Sequence, residues 1–266
     1  MTPTLLKDAA LFAAAFAGGA INSVAGGGTL ITFPALVWAG VPWVSANATS
    51  TVALVPGSAS AFWGYRDELE KSASPLLWLG IPSILGGGVG ALLVLKAGDK
   101  LFAHLVPWLI LGATVLFMIQ GPISAWMRRR ADQSTASDTQ PPSAPKTTHL
   151  LGLMLFQFVV AIYGGFFGAG IGILMLAALG LLGLTNIHRM NGLKNMAAIC
   201  INSVASLTFI AGHRVHWVLA LVMAAGAVCG GYGGAGLARK MGQKTVRRVV
   251  IGIGLVIATI MFLRQV

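Results

Sequence analysis

The sequence predicts an all-α polytopic membrane protein made of two inverted repeats of five helical segments each. Three observations carry that prediction. The chain is 56% hydrophobic and only 9% charged, whereas soluble domains carry about 25% charged residues. From Ala9 to Tyr65 there is no Asp, Glu, Lys, Arg or His at all. One pattern is also spelled twice, 144 positions apart and without a gap. In that register Gly26 and Gly28 recur as Gly170 and Gly172, and Asn47 as Asn191. Gly86, Gly87 and Gly90 recur as Gly230, Gly231 and Gly234, and Lys96, Gly98 and Lys100 as Lys240, Gly242 and Lys244. Chance would align about two glycine pairs among the 35 glycines, and six align.

Spans of roughly 20 apolar residues are long enough to cross about 30 Å of hydrocarbon as helices. They are too long and too uniformly apolar for barrel strands. The first half divides at about 4–25, 28–40, 45–65, 74–96 and 100–126, and the second at about 149–169, 172–184, 187–211, 216–238 and 244–264. The second segment of each half reaches only about 20 Å at 1.5 Å per residue, too short to span. Each repeat is therefore expected to open with a glycine-broken re-entrant or half-helix pair, tolerated at depth where it is buried in protein or lines a cavity. The domain boundaries follow as 1–127, a solvated flexible linker at 128–148, and 149–266. The linker opens with Arg128-Arg129-Arg130 and continues in Ser, Thr, Asp, Gln and Pro. The N-terminal apolar stretch runs directly into the first copy of the repeat and is expected to remain as a helix.

The net charge of +11 is a topology signal. Five segments per half is an odd number, so the halves insert with opposite orientation. One face then collects twelve basic residues, including Arg66, Lys71, Arg128 to Arg130, Arg247 and Arg248, while the other holds Lys7, Lys96, Lys100, Arg214 and Arg264. The positive-inside rule puts the linker in the cytoplasm and both termini in the periplasm of a bacterial inner membrane. Nucleic-acid binding is excluded, because no basic surface interleaved with aromatics is present. Cys200 and Cys229 have neither metal-ligand nor disulfide spacing and read as small buried hydrophobes.

Lys194 falls about eight residues past the helix start expected at Thr185-Asn186, roughly 12 Å into the membrane. Asn191, Asn195 and Asn202 share its helix and lie near one face. The first half carries the same stripe in neutral form as Asn47, Ser50, Thr51 and Ser58. Two opposed polar stripes with a single cation make an asymmetric anion site near the midplane. Snorkelling of the Lys194 stem to the interface and helix–helix hydrogen bonding by the amides are the plainer alternatives. The glycines form a second constellation. Gly26-Gly27-Gly28-Thr29 and Gly168-Ala169-Gly170-Ile171-Gly172 each precede a short helix, whose free N–H groups and dipole would favour an anion. The clusters at 86–90 and 230–234 are better explained by close helix packing. All seven acids fall in loops or at span ends. This disfavours cation channels, carboxylate relays, metal sites and acid–base enzymes. No Walker motif is present, which excludes direct ATP hydrolysis. No cofactor is expected.

These residues resemble the sulfite exporter TauE/SafE family, also called the TSUP transporters. The resemblance is carried by Gly19-Ala-Ile-Asn-Ser-Val-Ala-Gly-Gly-Gly-Thr-Leu-Ile-Thr-Phe-Pro34 and Tyr163-Gly-Gly-Phe-Phe-Gly-Ala-Gly-Ile-Gly172, supported by Ala46-Asn-Ala-Thr-Ser-Thr51 and Asn191-Gly-Leu-Lys-Asn195. It covers nearly the whole chain apart from the linker. It implies a duplicated helical bundle that moves small sulfur-containing or organic anions. The second copy departs from the first in having Ile171 opposite Gly27 and Lys194 opposite Ser50. The expected function is a secondary exporter of sulfite or a related anion. Its binding residues are Lys194, Asn191, Asn195, Asn202, Asn47, Ser50, Thr51, Asn22, Gly26, Gly27, Gly28, Thr29, Gly168, Gly170 and Gly172. A passive anion channel, or a membrane scaffold or enzyme with no transported anion, remains the alternative. Glycine-rich faces serve packing within or between subunits equally well, so a homo-oligomer stays open.

Overall fold

A computed structural model describes residues 3–63, 74–135, 147–181, 187–241 and 243–265. Among them there is no strand, and nine helices follow one another: α1 Pro3–Ala25, α2 Thr29–Trp38, α3 Trp43–Trp63, α4 Ser74–Thr135, α5 Thr147–Phe166, α6 Ile171–Leu181, α7 Ile187–Ala211, α8 Trp217–Met241 and α9 Gln243–Gln265. Gly98 breaks α4 with φ 68° and ψ 174°, dividing it into two arms. Ten helical segments result, and their bounds at the 144-residue offset agree to within a few residues except at the end of the last segment, where the second arm of α4 runs on to Thr135. Three stretches, Leu5–Ser23, Trp78–Ile119 and Met190–Ala211, are long and apolar enough to cross a membrane. α2 and α6, with 10 and 11 residues, reach about 15 Å and cannot. The fold is that of a polytopic membrane protein.

Two local expectations change. The linker was expected from residue 128, but α4 continues to Thr135, in keeping with the helix-forming Arg and Ala of 128–131. Residues 136–146 lie outside the described residues, as do Arg66, Lys71 and the Thr185-Asn186 helix start. Cys200 is half-buried and Cys229 is exposed. Cys229 sits on α8, whose Val218, Leu221 and Tyr232 are also exposed. A helix facing lipid has no reason to bury a small apolar side chain.

The packing exchanges partners between the halves. α1 lies along α8, and α5 along the first arm of α4. Glycines make both approaches close. A Cβ on Gly230 would run into the Phe16 carbonyl, and one on Gly226 would stand 2.5 Å from the Phe12 carbonyl. On the other side, a Cβ on Gly86 would stand 2.6 Å from the Ala161 Cβ. The exchange holds residue by residue: Gly87 faces the Ile201 backbone, and its counterpart Gly231 faces Gly57, the counterpart of Ile201. The second arm of α4 packs on α9, where Trp108 meets Phe262 edge-on at 5.0 Å.

The glycine contacts generate a paired expectation. Gly230→Ala should lower stability by about 1–3 kcal/mol through overpacking. Gly252→Ala, which has open space around its Cβ, should shift it by less than about 1 kcal/mol and in the stabilising direction. Thermal unfolding in detergent compares the two. Equal effects would mean that the α1–α8 approach is looser than described.

Candidate functional site

The backbone breaks after α1 and α5 meet in the interior. Gly26 and Gly170, counterparts in the 144-residue register, have φ of 72° and 78°. The Gly170 N–H donates to the Gly26 carbonyl at 3.1 Å. A Cβ on Gly26 would stand 2.9 Å from the Gly172 Cα. Glycine is required there twice over, for the left-handed backbone and for the close approach.

Beside this junction lies a cavity of about 20 Å³, room for about one water molecule. α7 contributes Lys194, Asn195 and Asn202, and α1, α2 and α3 contribute Asn22, Thr29 and Thr51. Gly26, Gly168 and Gly172 complete the predicted set, so nine of the fifteen predicted positions line it. The helical spacing explains the α7 contribution, since Lys194 and Asn195 flank one face and Asn202 follows two turns later.

Lys194 is 1% exposed, and its Nζ has no hydrogen-bond partner among the described residues. The stem does not carry the ammonium to the surface, as snorkelling would require. The Asn195 Nδ2 is likewise buried without a partner. Two unsatisfied donors therefore line one polar cavity. Asn22 Nδ2 donates to Ser58 Oγ at 2.9 Å, and Thr51 Oγ1 donates to the Asn47 carbonyl at 2.8 Å. No carboxylate lines the cavity. Among the described residues no group of His, Cys, Asp or Glu could hold a metal ion. A cation with amide and hydroxyl donors can bind a small anion, and the donor set offers little to a cation.

Six predicted positions do not line the cavity. Asn47 is buried and donates through Nδ2 to the Phe166 carbonyl at 3.1 Å, which ties α3 to the end of α5. Ser50 shares a 2.6 Å hydrogen bond with Thr32. Asn191 is half-buried with its Oδ1 unpartnered. Gly27 lies under the Phe117 ring, and Gly28 faces the Gly18 backbone. Gly170 spends its N–H on Gly26. Four wall residues were not anticipated: Leu54, Phe167, Ile171 and Ala198. Being apolar, they look in sequence like any core residue.

A family model for the sulfite exporter TauE/SafE matches residues 11–261. The chain belongs to the TauE/SafE family. Three relatives of the family member extend the match, each 27% identical. A probable membrane transporter protein of Haemophilus influenzae aligns over 91% of this chain and 89% of its own length. YfcA of Escherichia coli K12, also a probable membrane transporter protein, covers 97% and 90%. ORF9 of a Sinorhizobium species, of the same description, covers 93% and 89%. No solved structure matches the chain. Within the TauE/SafE family, this chain is a membrane transporter.

The buried ammonium carries a measurable consequence. Lys194→Met, similar in length and uncharged, should raise stability in detergent by about 2–3 kcal/mol, because a lysine at the centre of a membrane helix costs that much. Lower stability would mean that Lys194 has a structural partner and that its burial is no sign of a ligand site.

Proposed function

We propose that the protein is a secondary transporter, and no enzyme, that exports sulfite or a related sulfur-containing or organosulfonate anion. The observation that carries this reading is the buried Lys194 Nζ, which has no partner among the described residues and lies at a cavity lined by no carboxylate, beside the Gly26–Gly170 junction. An ammonium without a counterion in the interior is costly, and an anion removes that cost. Lys194 supplies the charge, and Asn195, Asn202, Asn22, Thr29 and Thr51 supply neutral contacts. Asn47 and Ser50 act from behind by tying α3 to α5 and α2. The basic-residue count supports a cytoplasmic linker and periplasmic termini in a bacterial inner membrane.

Alternating access about this site uses mobile units other than the two sequence halves. α1 is bound more closely to α8, and α5 to the first arm of α4, than either is to its own half. The units that rock are these mixed bundles, with α3 and α7 between them. A cavity with room for about one water favours a carrier over a channel, which needs a continuous wet path.

The test is labelled-sulfite counterflow in proteoliposomes, with native protein and Lys194→Ala side by side and other small anions as competitors. Saturable uptake is expected in the native protein. In the variant the apparent affinity should fall by about 100-fold, as when one partner of a buried charge contact is removed. Absence of uptake of sulfite or any competitor by well-folded native protein would sink the assignment. Uptake unchanged in Lys194→Ala would move the site elsewhere.

A further inference from the structure

One side of the cavity leads into a chain of aromatic rings. Phe167 lines the cavity wall and meets Phe33 edge-on, with ring centroids 5.5 Å apart. Phe33 in turn contacts Phe102 at 6.2 Å, edge-on, and Trp43 at 6.2 Å. Phe33, Phe102 and Phe167 are buried, whereas Trp43 is half-buried. The rings thus run from the polar cavity to one end of the bundle. At that end the Val44 N–H donates to Asp99 Oδ1 at 2.9 Å, and Arg214 Nη1 lies 3.9 Å from Asp99 Oδ2. Val44 follows Trp43, and Asp99 precedes Phe102 by three residues. The same carboxylate therefore joins the start of α3, the second arm of α4 and the turn between α7 and α8. The 144-residue register puts Ala177 opposite Phe33, Ile187 opposite Trp43, Val246 opposite Phe102 and Ser23 opposite Phe167. None of these carries a ring.

We propose that Phe33, Trp43, Phe102 and Phe167 form a gate, clasped by Asp99, that controls access to the cavity from the Arg214 end of the bundle alone. The inference rests on reading the cavity as the transport site and adds the route by which that site is reached. Phe33 is the keystone, because it touches three of the other rings. On the charge-based orientation this end is periplasmic, so the gate stands at the exit of an exporter. The positions opposite are aliphatic or hydroxyl residues, so this chain of rings has no counterpart in the second copy of the repeat. Edge-to-face ring contacts add a specific attraction to plain apolar burial, so the plug resists opening more than an aliphatic seal of the same area.

Sided thiol labelling tests the proposal without requiring transport. In a full-length background with Cys200→Ser and Cys229→Ser, a reporter is placed on the cavity wall as Ala198→Cys. Sealed vesicles of either orientation then receive a membrane-impermeant charged methanethiosulfonate. Labelling from the Arg214 end should be the slower of the two. Phe33→Ala should raise it by about tenfold or more, since three ring contacts are removed from the closed state only. The rate from the opposite end should stay within about twofold. Phe33→Leu and Trp43→Ala should each give a smaller rise of the same sidedness, and they carry the test if Phe33→Ala fails to fold. No rise in any variant, or an equal rise from both ends, overturns the gate. A one-sided rise in a protein that carries no anion keeps the gate and removes the carrier reading. Sulfite counterflow without a one-sided rise removes the gate alone.

Discussion

The whole arrangement depends on two interrupted backbones lying side by side in an apolar interior. At Gly26 and Gly170 the chain turns left-handed and the two breaks share a hydrogen bond. Left unpaired in lipid, such breaks would cost several kcal/mol for each bare polar group. Bringing them together allows one break to satisfy the other. It also fixes what surrounds them. α2 and α6 must be short because they start at depth, and the helices that shield them must approach closely. Polar side chains on α3 and α7 can then turn inward without meeting hydrocarbon.

Around that junction the two copies have diverged in a way that concerns charge. In the first half, Ser50 on α3 pairs with Thr32 on α2. The corresponding positions in the second half are Lys194 and Leu176. Where the first half has a hydroxyl pair that closes on itself, the second has an ammonium and a leucine, which offers no acceptor. The first copy is thus a satisfied lock, and the second presents an open valence. Burial of a charge in this way subtracts from stability, and function is the usual reason such a cost persists.

Much of this was legible in the sequence, for reasons that differ from residue to residue. The short helices could be read from glycine clusters followed by apolar segments too short to span a bilayer. The close packing at Gly86, Gly87, Gly90, Gly230 and Gly231 could be read because small residues at helical spacing have few other uses in lipid. Lys194 stood out because it is a lone cation inside a span. The exchange of partners between the halves was not legible, since nothing in Gly19 or Gly226 says which apolar helix it will touch. Phe167 and Phe33 were hidden for a related reason. A ring that borders a polar cavity and a ring in a core have the same neighbours in sequence. Asn191 and Asn195 are four residues apart on one stripe, yet only Asn195 borders the cavity. A stripe defines a face and leaves open how far along it the wall extends.

The partner exchange has a consequence for how the molecule comes into being. A chain enters the bilayer from its N-terminus, and each span becomes a helix before it finds its neighbours. α1 inserts well before the helix it lies along, α8, which comes after six intervening helices. Until α8 arrives, Gly19 and the carbonyls of Phe12 and Phe16 face lipid in place of Gly226, Ala227 and Gly230. While the second half is being made, α1, α2 and α3 can meet one another, but α1 lacks its most extensive contact. Non-local pairing of this kind is slow, so the nascent protein spends that interval with its glycine grooves open to any other helix in the membrane.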